Sequence, residues 1–289
     1  MQIIVNIVVL ASLYCLICGG YVLIYRSSRV LNLAHGELMA LSAYFLLTVV
    51  TSFPGHPFIS FGISIGLCFL LGFAVYFFLM RFMTGEAVFA AVLVTISLGI
   101  LLRGFITLIW TSQSWHPLQF MGIQNASHLL FGNGVISTFG ILAVVTATLV
   151  YGFLFLGLKF TRWGLRMRAV GENPLLASQR GINLHWYYAL SWALAALTAG
   201  LAGMIQACDS GLEPGMFILA LTAFPVVLVG GLDSLAGVIP GSIIVASAQV
   251  AAISISPQAS EVAPFVVLLA MLLIRPWGLF GTKEEWERV

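Results

Sequence analysis

The chain has 289 residues, 61% of them hydrophobic and 8% charged, against roughly 25% charged in an ordinary soluble domain. A soluble fold cannot cover that much apolar surface, so its apolar runs must face lipid, and about 20 apolar residues suffice to cross a bilayer as a helix. A formal net charge of +2 is too small to point to nucleic acid, and the informative quantity is where the positive charges lie.

Hydropathy predicts an all-α integral membrane fold, a bundle of about nine transmembrane helices forming one domain over residues 1–289. The first span, 3–25, lacks the basic leader and small-residue cleavage site of a signal peptide and is read as a retained helix. Cys15 and Cys18 inside it have redox or zinc spacing. They sit mid-helix in apolar sequence, as do Cys68 and Cys208, and are read as small packing residues.

Next comes Leu31-Asn-Leu-Ala-His-Gly-Glu37, which brings Asn32, His35, Gly36 and Glu37 to the start of the second span, 36–52. Polar backbone at this depth is tolerated only where protein or water covers it. The segment 31–37 is therefore expected to be broken or re-entrant and to line a pathway, the alternative being a helix end resting in the interface. His35 and Glu37 alone do not make a metal site, and none is predicted.

The third and fourth spans are predicted at 58–80 and 87–111. Arg103, inside the fourth, costs about 3 kcal/mol or more unless it faces partners or water. It is expected either to face the bundle interior as a pathway residue, with Glu37 as a conceivable partner, or to snorkel to the interface marked by Trp110 and Trp115. The loop 112–134, with Trp115, His116, Pro117 and His128, suits docking of a partner or simple cover, and the fifth span follows at 135–158.

The loop 159–185 carries the strongest local punctuation. Asn173 suits a helix cap, Pro174 a first position and Gly181 a stop, which predicts a two-turn helix from Pro174 to Arg180. Leu175, Leu176 and Ala177 are then available either to a groove on a soluble partner or to the lipid surface. The remaining spans are predicted at 186–207, 215–231, 235–255 and 262–274. Asp233, in the turn between two of them, is expected to cap the following helix, and Gln249 is a weaker intramembrane polar candidate.

Two independent patterns bear on topology. With the N-terminus outside, Arg26, Arg29, Arg81, Lys159, Arg162, Arg166, Arg168, Arg180, Arg275, Lys283 and Arg288 all fall on the inner side, as the positive-inside rule demands. In addition, Leu38-Met-Ala-Leu-Ser-Ala-Tyr-Phe45 lines up without gaps with Ile218-Leu-Ala-Leu-Thr-Ala-Phe-Pro225. Run in opposite directions, the two would form an inverted repeat of a kind transporters use, the alternative being chance similarity of two Ala/Leu-rich helices.

Three stretches resemble a known family. Arg166–Asn183 looks like the cytoplasmic coupling segment of bacterial ABC permeases for branched-chain amino acids. Leu31–Met39 resembles their "NFAHGE" signature, with Leu for Phe, and Ala223–Gly237 with Arg275–Gly281 resembles their C-terminal half. The resemblance covers nearly the whole chain.

It implies a non-enzymatic subunit of an ATP-driven importer in the bacterial inner membrane, moving amino acids from periplasm to cytoplasm. Partners would be a second homologous permease, two cytoplasmic ATPase subunits holding the ATP and Mg, a periplasmic substrate-binding protein and membrane lipid. This chain would bind no cofactor, and it has no phosphate-loop motif. Glu172, Asn173, Pro174, Leu175, Leu176, Ala177, Arg180 and Gly181 would carry the coupling helix. Close relatives handle urea or short amides. An ion-coupled transporter would need several intramembrane carboxylates, and a membrane enzyme a recognisable catalytic arrangement; neither is seen.

Overall fold

A computed structural model describes residues 1–130 and 134–281; Lys283 and Arg288, assigned above to the inner side, lie outside the described residues. Among the described residues, seven helices are long and apolar enough to cross a membrane: α1 (Gln2–Ser28), α3 (Pro57–Phe78), α4 (Val88–Trp110), α6 (Thr138–Phe160), α9 (Leu184–Ser210), α11 (Leu235–Ile253) and α12 (Pro257–Ile274). Two more expected spans form helices of a different kind. Helix α2 (His35–Ser52) has 18 residues and begins on polar sequence, and α10 (Phe217–Gly230) has 14. At 1.5 Å per residue the latter is about 21 Å long, short of the roughly 30 Å hydrocarbon layer.

Helix α9 is the core of the bundle, with 78% of its apolar window buried against 6% for α12. Its composition explains this. The run Ala-Leu-Ala-Ala-Leu-Thr-Ala-Gly-Leu-Ala-Gly offers small side chains, which let neighbouring helices approach closely where apolar burial gives no driving force in lipid. Helices α1, α2 and α3 all pack on it. At Gly203 a Cβ would lie 2.6 Å from the Met39 carbonyl, so only glycine permits that approach of α2. The outer faces of α3, α4, α6 and α12 instead expose large apolar side chains such as Phe58, Leu108, Leu149 and Leu273, suited to lipid or another apolar chain. All four cysteines are buried and unpaired; Cys18 Sγ donates to the Ala223 carbonyl at 3.2 Å.

At one end of the bundle the described part of the 112–134 stretch carries secondary structure of its own. It holds a one-turn α5 (Leu118–Met121) and a hairpin of β1 (Ser127–Leu130) with β2 (Gly134–Ser137). The hairpin occupies the first residues of the expected fifth span, so α6 begins at Thr138, capped by Ser137 accepting from the Gly140 amide at 2.9 Å. Trp115 and Leu212 exchange backbone hydrogen bonds of 2.9 and 2.8 Å, and Asp209 accepts from Asn125 and Ser137.

At the other end lie the inner-side basic residues assigned above within 26–180, together with α7 (Arg162–Glu172) and α8 (Pro174–Gln179). The segment 275–281 returns to this end, where the amides of Leu279 and Phe280 donate to the carbonyls of Val229 and Gly230 at 2.8 and 3.0 Å. It thereby satisfies carbonyls that the end of α10 leaves free. The cap of α11 is Ser234, whose hydroxyl accepts from the Gly237 amide at 3.1 Å, and not the expected Asp233. The two are adjacent in sequence, and Ser234 is the residue at the N-cap position, from which a side chain reaches the third helical amide.

Candidate translocation site and coupling segment

Helix α1 ends at Ser28, followed by Arg29 in the left-handed region with φ 55°. Residues 29–34 leave the helix and run back along the bundle. The Leu33 amide donates to Thr95 Oγ1 at 3.2 Å, the Thr95 hydroxyl lies 3.4 Å from the Leu31 carbonyl, and the Ala34 amide donates to Asn32 Oδ1 at 3.1 Å. His35 then starts α2 beside Ile17, whose carbonyl lies 3.0 Å from Nε2. Ile17 is eleven residues back from Ser28, or about 16 Å along α1. Val30, Asn32 and Ala34 in this non-helical stretch are buried by protein while Leu33 is exposed, and cover by protein or water is the condition for irregular backbone at depth.

His35 is fully buried, with its ring 4.3 Å from that of Tyr21. It occupies space left by Gly20, where a Cβ would lie 2.5 Å from its Cε1 and 2.8 Å from the Ala195 carbonyl. Asn32 Nδ2 and His35 Nδ1 are buried without a hydrogen-bond partner among the described residues.

Glu37 lies in the first turn of α2, where the helix dipole favours an acid. The Arg103 guanidinium donates to its carboxylate at 2.5 Å and sits 3.7 Å over the Phe217 ring, a cation–π contact. Glu37 is nearly buried at 8% exposure while Arg103 is 49% exposed, so the pair has one partner in the core and the other at an accessible face. Gly99 leaves room for the carboxylate, since a Cβ there would lie 3.2 Å from Oε2.

Phe217 is the first residue of α10, and a Cβ at Gly36 would lie 2.8 Å from its carbonyl and 3.2 Å from Ala220 Cβ. The first turns of α2 and α10 therefore meet inside the bundle. From there α2 runs to the hairpin end, where Gly55 donates to the Phe120 carbonyl, and α10 to the opposite end. A cavity of about 290 Å³ beside the start of α10 is lined by Gln206, Ser210, Glu213 and Met216 among others.

Asn32, His35, Gly36, Glu37 and Arg103 thus share one neighbourhood. Phe217 and the polar lining at Gln206, Ser210 and Glu213 were not anticipated. The signal available for them was the Gly211–Gly215 interruption between two apolar helices.

The second predicted group lies outside the bundle. Asn173 Oδ1 accepts from the Leu176 amide at 3.0 Å, Pro174 opens α8, and Gly181 follows with φ 76°, so the local chemistry of the sequence is realised within a residue. Glu172, Asn173, Pro174, Leu175, Leu176, Arg180 and Gly181 are exposed, with Leu175 at 68% and Leu176 at 57%; Ala177 alone is buried. What sequence reading missed is α7, which precedes it. Trp163, Met167 and Val170 are spaced i, i+4, i+7, the signature of a helix face, and Met167 and Val170 are fully buried. Gly171 packs against the Arg26 carbonyl, tying this helix, and α8 after it, to the end of α1.

With both sites placed, comparison with known proteins assigns the chain. Residues 3–274 match the family described as branched-chain amino acid transport system, permease component. The chain belongs to this family. Such a permease is a multi-pass membrane transport component. It is similar to the high-affinity branched-chain amino acid transport system permease protein BraD of Pseudomonas aeruginosa, with 27% identity over 98% of this chain and 96% of the relative. It is 25% identical to the corresponding LivH protein of Escherichia coli over 96% and 94%. Among solved structures, PsaBC from Streptococcus pneumoniae in complex with Fab aligns with a TM-score of 0.50 and 14% identity over 96% of this permease and 93% of that chain, a likeness of fold alone.

Proposed function

We propose that this permease is the transmembrane subunit of an ATP-driven importer that carries branched-chain or related small amino acids inward. Its N-terminus is periplasmic, its C-terminus is cytoplasmic, and nine helices cross or enter the bilayer. It pairs with a second homologous permease. Two ATPase subunits hold the ATP and Mg, and a periplasmic binding protein delivers the solute. The basic residues at the α7–α8 end support this orientation.

The observation that carries the pathway reading is the Glu37–Arg103 pair at the meeting point of α2 and α10. A charge pair is expensive inside a membrane and is retained there for function. A zwitterionic amino acid carries the same two charges, so its carboxylate can exchange with Glu37 at the exposed guanidinium while its ammonium faces Glu37. The repeat supports the same reading. Its two copies, Leu38–Phe45 and Ile218–Pro225, lie in the first turns of helices that start side by side and depart to opposite ends, as an inverted repeat requires.

Coupling is assigned to Glu172–Gly181. Exposed Leu175 and Leu176 on a short capped helix suit insertion into a groove on the ATPase, and α7 passes the resulting displacement to α1 and α6. Such coupling requires the two states of the bundle to differ in contact energy with the ATPases.

The test is isolation of the chain in mild detergent, identification of the proteins that accompany it, and ATP hydrolysis with candidate solute-binding proteins added. Recovery of a homologous permease and ATPases, with hydrolysis raised by an amino-acid-binding protein, is expected. Recovery of the chain alone, with uptake driven by an ion gradient in liposomes, overturns the proposal.

A further inference from the structure

Two cavities adjoin on the side of the bundle away from the Glu37–Arg103 pair. The first, about 500 Å³, is a groove between α1, α6 and α11 lined by apolar residues including Val8, Ala147, Phe155, Ile239 and Ile243. Several of these are large and roughly half exposed. Of the groove's hydroxyls, those of Ser12, Thr148 and Ser242 donate to carbonyls one turn back in their own helices, at 2.7, 2.8 and 2.8 Å, and that of Tyr151 is buried, without a hydrogen-bond partner among the described residues. The wall therefore presents hydrocarbon. At its middle, a Cβ at Gly152 would meet nothing within 4 Å, so that position opens into empty space.

The second cavity, about 470 Å³, lies at the α7–α8 end and shares Phe155, Leu235 and Ala236 with the first. Arg26, Lys159 and Arg168 line it together with Asp233, three cations and one carboxylate, a net of +2. An apolar slot thus opens at one end into a cationic cup. The slot extends along α6 from Ala147 to Phe155, eight residues or about 12 Å, close to half the roughly 30 Å hydrocarbon layer.

We propose that this composite site holds one anionic phospholipid, its phosphate in the Arg26–Lys159–Arg168 cup and an acyl chain in the α1–α6–α11 groove. The inference rests on the bundle being membrane-embedded and on no feature of the transported solute. Neither half of the site suits another occupant as well. A free anion has no use for the slot, and an apolar helix of a partner leaves the cup uncompensated. Basic pockets between membrane helices are a recurrent means of holding lipid headgroups. Because the cup joins α7 to α1 and α6, the lipid bridges the elements assigned to coupling.

Native mass spectrometry of the full chain in its purified assembly, titrated with phosphatidylglycerol or phosphatidylcholine, tests this. One phosphatidylglycerol is expected to be retained per chain, and phosphatidylcholine at least tenfold more weakly. Lys159→Ala and Arg168→Ala each lower retention about fivefold, since each basic group near the surface contributes on the order of a kcal/mol. Gly152→Leu, whose Cβ meets nothing within 4 Å and whose side chain adds bulk at the slot, lowers it similarly with the cup intact. Equal retention of both lipids, inorganic phosphate competing as well as the lipid does, or a cysteine at position 152 cross-linking to a second protein chain overturns the proposal. So does undiminished binding to a folded Gly152→Leu variant.

Discussion

The segments Asn32–Glu37 and Glu172–Gly181 are both short, polar interruptions between apolar helices, yet the fold treats them in opposite ways. The first is drawn back into the bundle and nearly buried, each polar side chain making one specific contact, Asn32 with a backbone amide, His35 with Ile17 and Tyr21, Glu37 with Arg103, while Asn32 Nδ2 and His35 Nδ1 stay without a partner among the described residues. The second stands outside the bundle with its leucines exposed and only Ala177 anchored. A buried polar segment is fixed by its tertiary partners, and its substitution should damage stability and transport together. An exposed one is fixed by its own caps and should be separable from stability.

The largest effect is expected at the buried pair. Glu37→Ala leaves Arg103 without its carboxylate, and removing one partner of a well-buried pair costs about 3 kcal/mol or more, discounted here because Arg103 is half exposed. Uptake in proteoliposomes should fall more than tenfold, and thermal unfolding should come earlier. Glu37→Met combined with Arg103→Met should recover part of the stability and none of the uptake, so recovered uptake would remove the pathway role.

Gly20→Val is next. The added atoms would meet His35 and the Ala195 carbonyl, and overpacking of this kind costs about 1–3 kcal/mol. A lowered unfolding midpoint together with impaired uptake is expected; an unchanged midpoint would show that His35 does not fill that space.

At the exposed segment Leu176→Asp should leave the stability within about 0.5 kcal/mol of the parent, with the unfolding midpoint essentially unmoved. It should nevertheless reduce binding-protein-stimulated ATP hydrolysis and uptake about tenfold. If the midpoint fell instead, the contrast between the two regions would collapse. Smallest is Asn173→Ala, which removes the cap on α8 and should loosen it by about 1 kcal/mol. Faster amide exchange confined to residues 175–179 would report it.

How much of this was legible in the sequence follows the same division. The capped helix α8 was readable residue by residue, because Asn173, Pro174 and Gly181 act through bonds and torsions of their own neighbourhood. The apolar helices were readable from hydropathy. The amphipathic α7 was written in the spacing of Trp163, Met167 and Val170 but hidden by the basic residues between them. The strand pair β1–β2 and the cap by Ser234 were not foreseen, since a few residues either way decide them.

The proximity of Glu37 and Arg103 was a matter of charge logic without geometry. Their meeting depends on the chain turning back after Ser28 and on Phe217 arriving beside Gly36, contacts 66 and 181 residues apart in sequence. No local pattern encodes such contacts, so the cavity lined by Gln206, Ser210 and Glu213 went unread.

The most direct test measures ATP hydrolysis and solute uptake together in proteoliposomes holding the complete importer, for Arg103→Met and Leu176→Asp side by side. Hydrolysis still stimulated by the binding protein but without uptake is predicted for Arg103→Met, and parallel loss of both for Leu176→Asp. Normal uptake with Arg103→Met, or stimulated hydrolysis untouched by Leu176→Asp, would contradict the division of labour between the buried junction and the exposed helix.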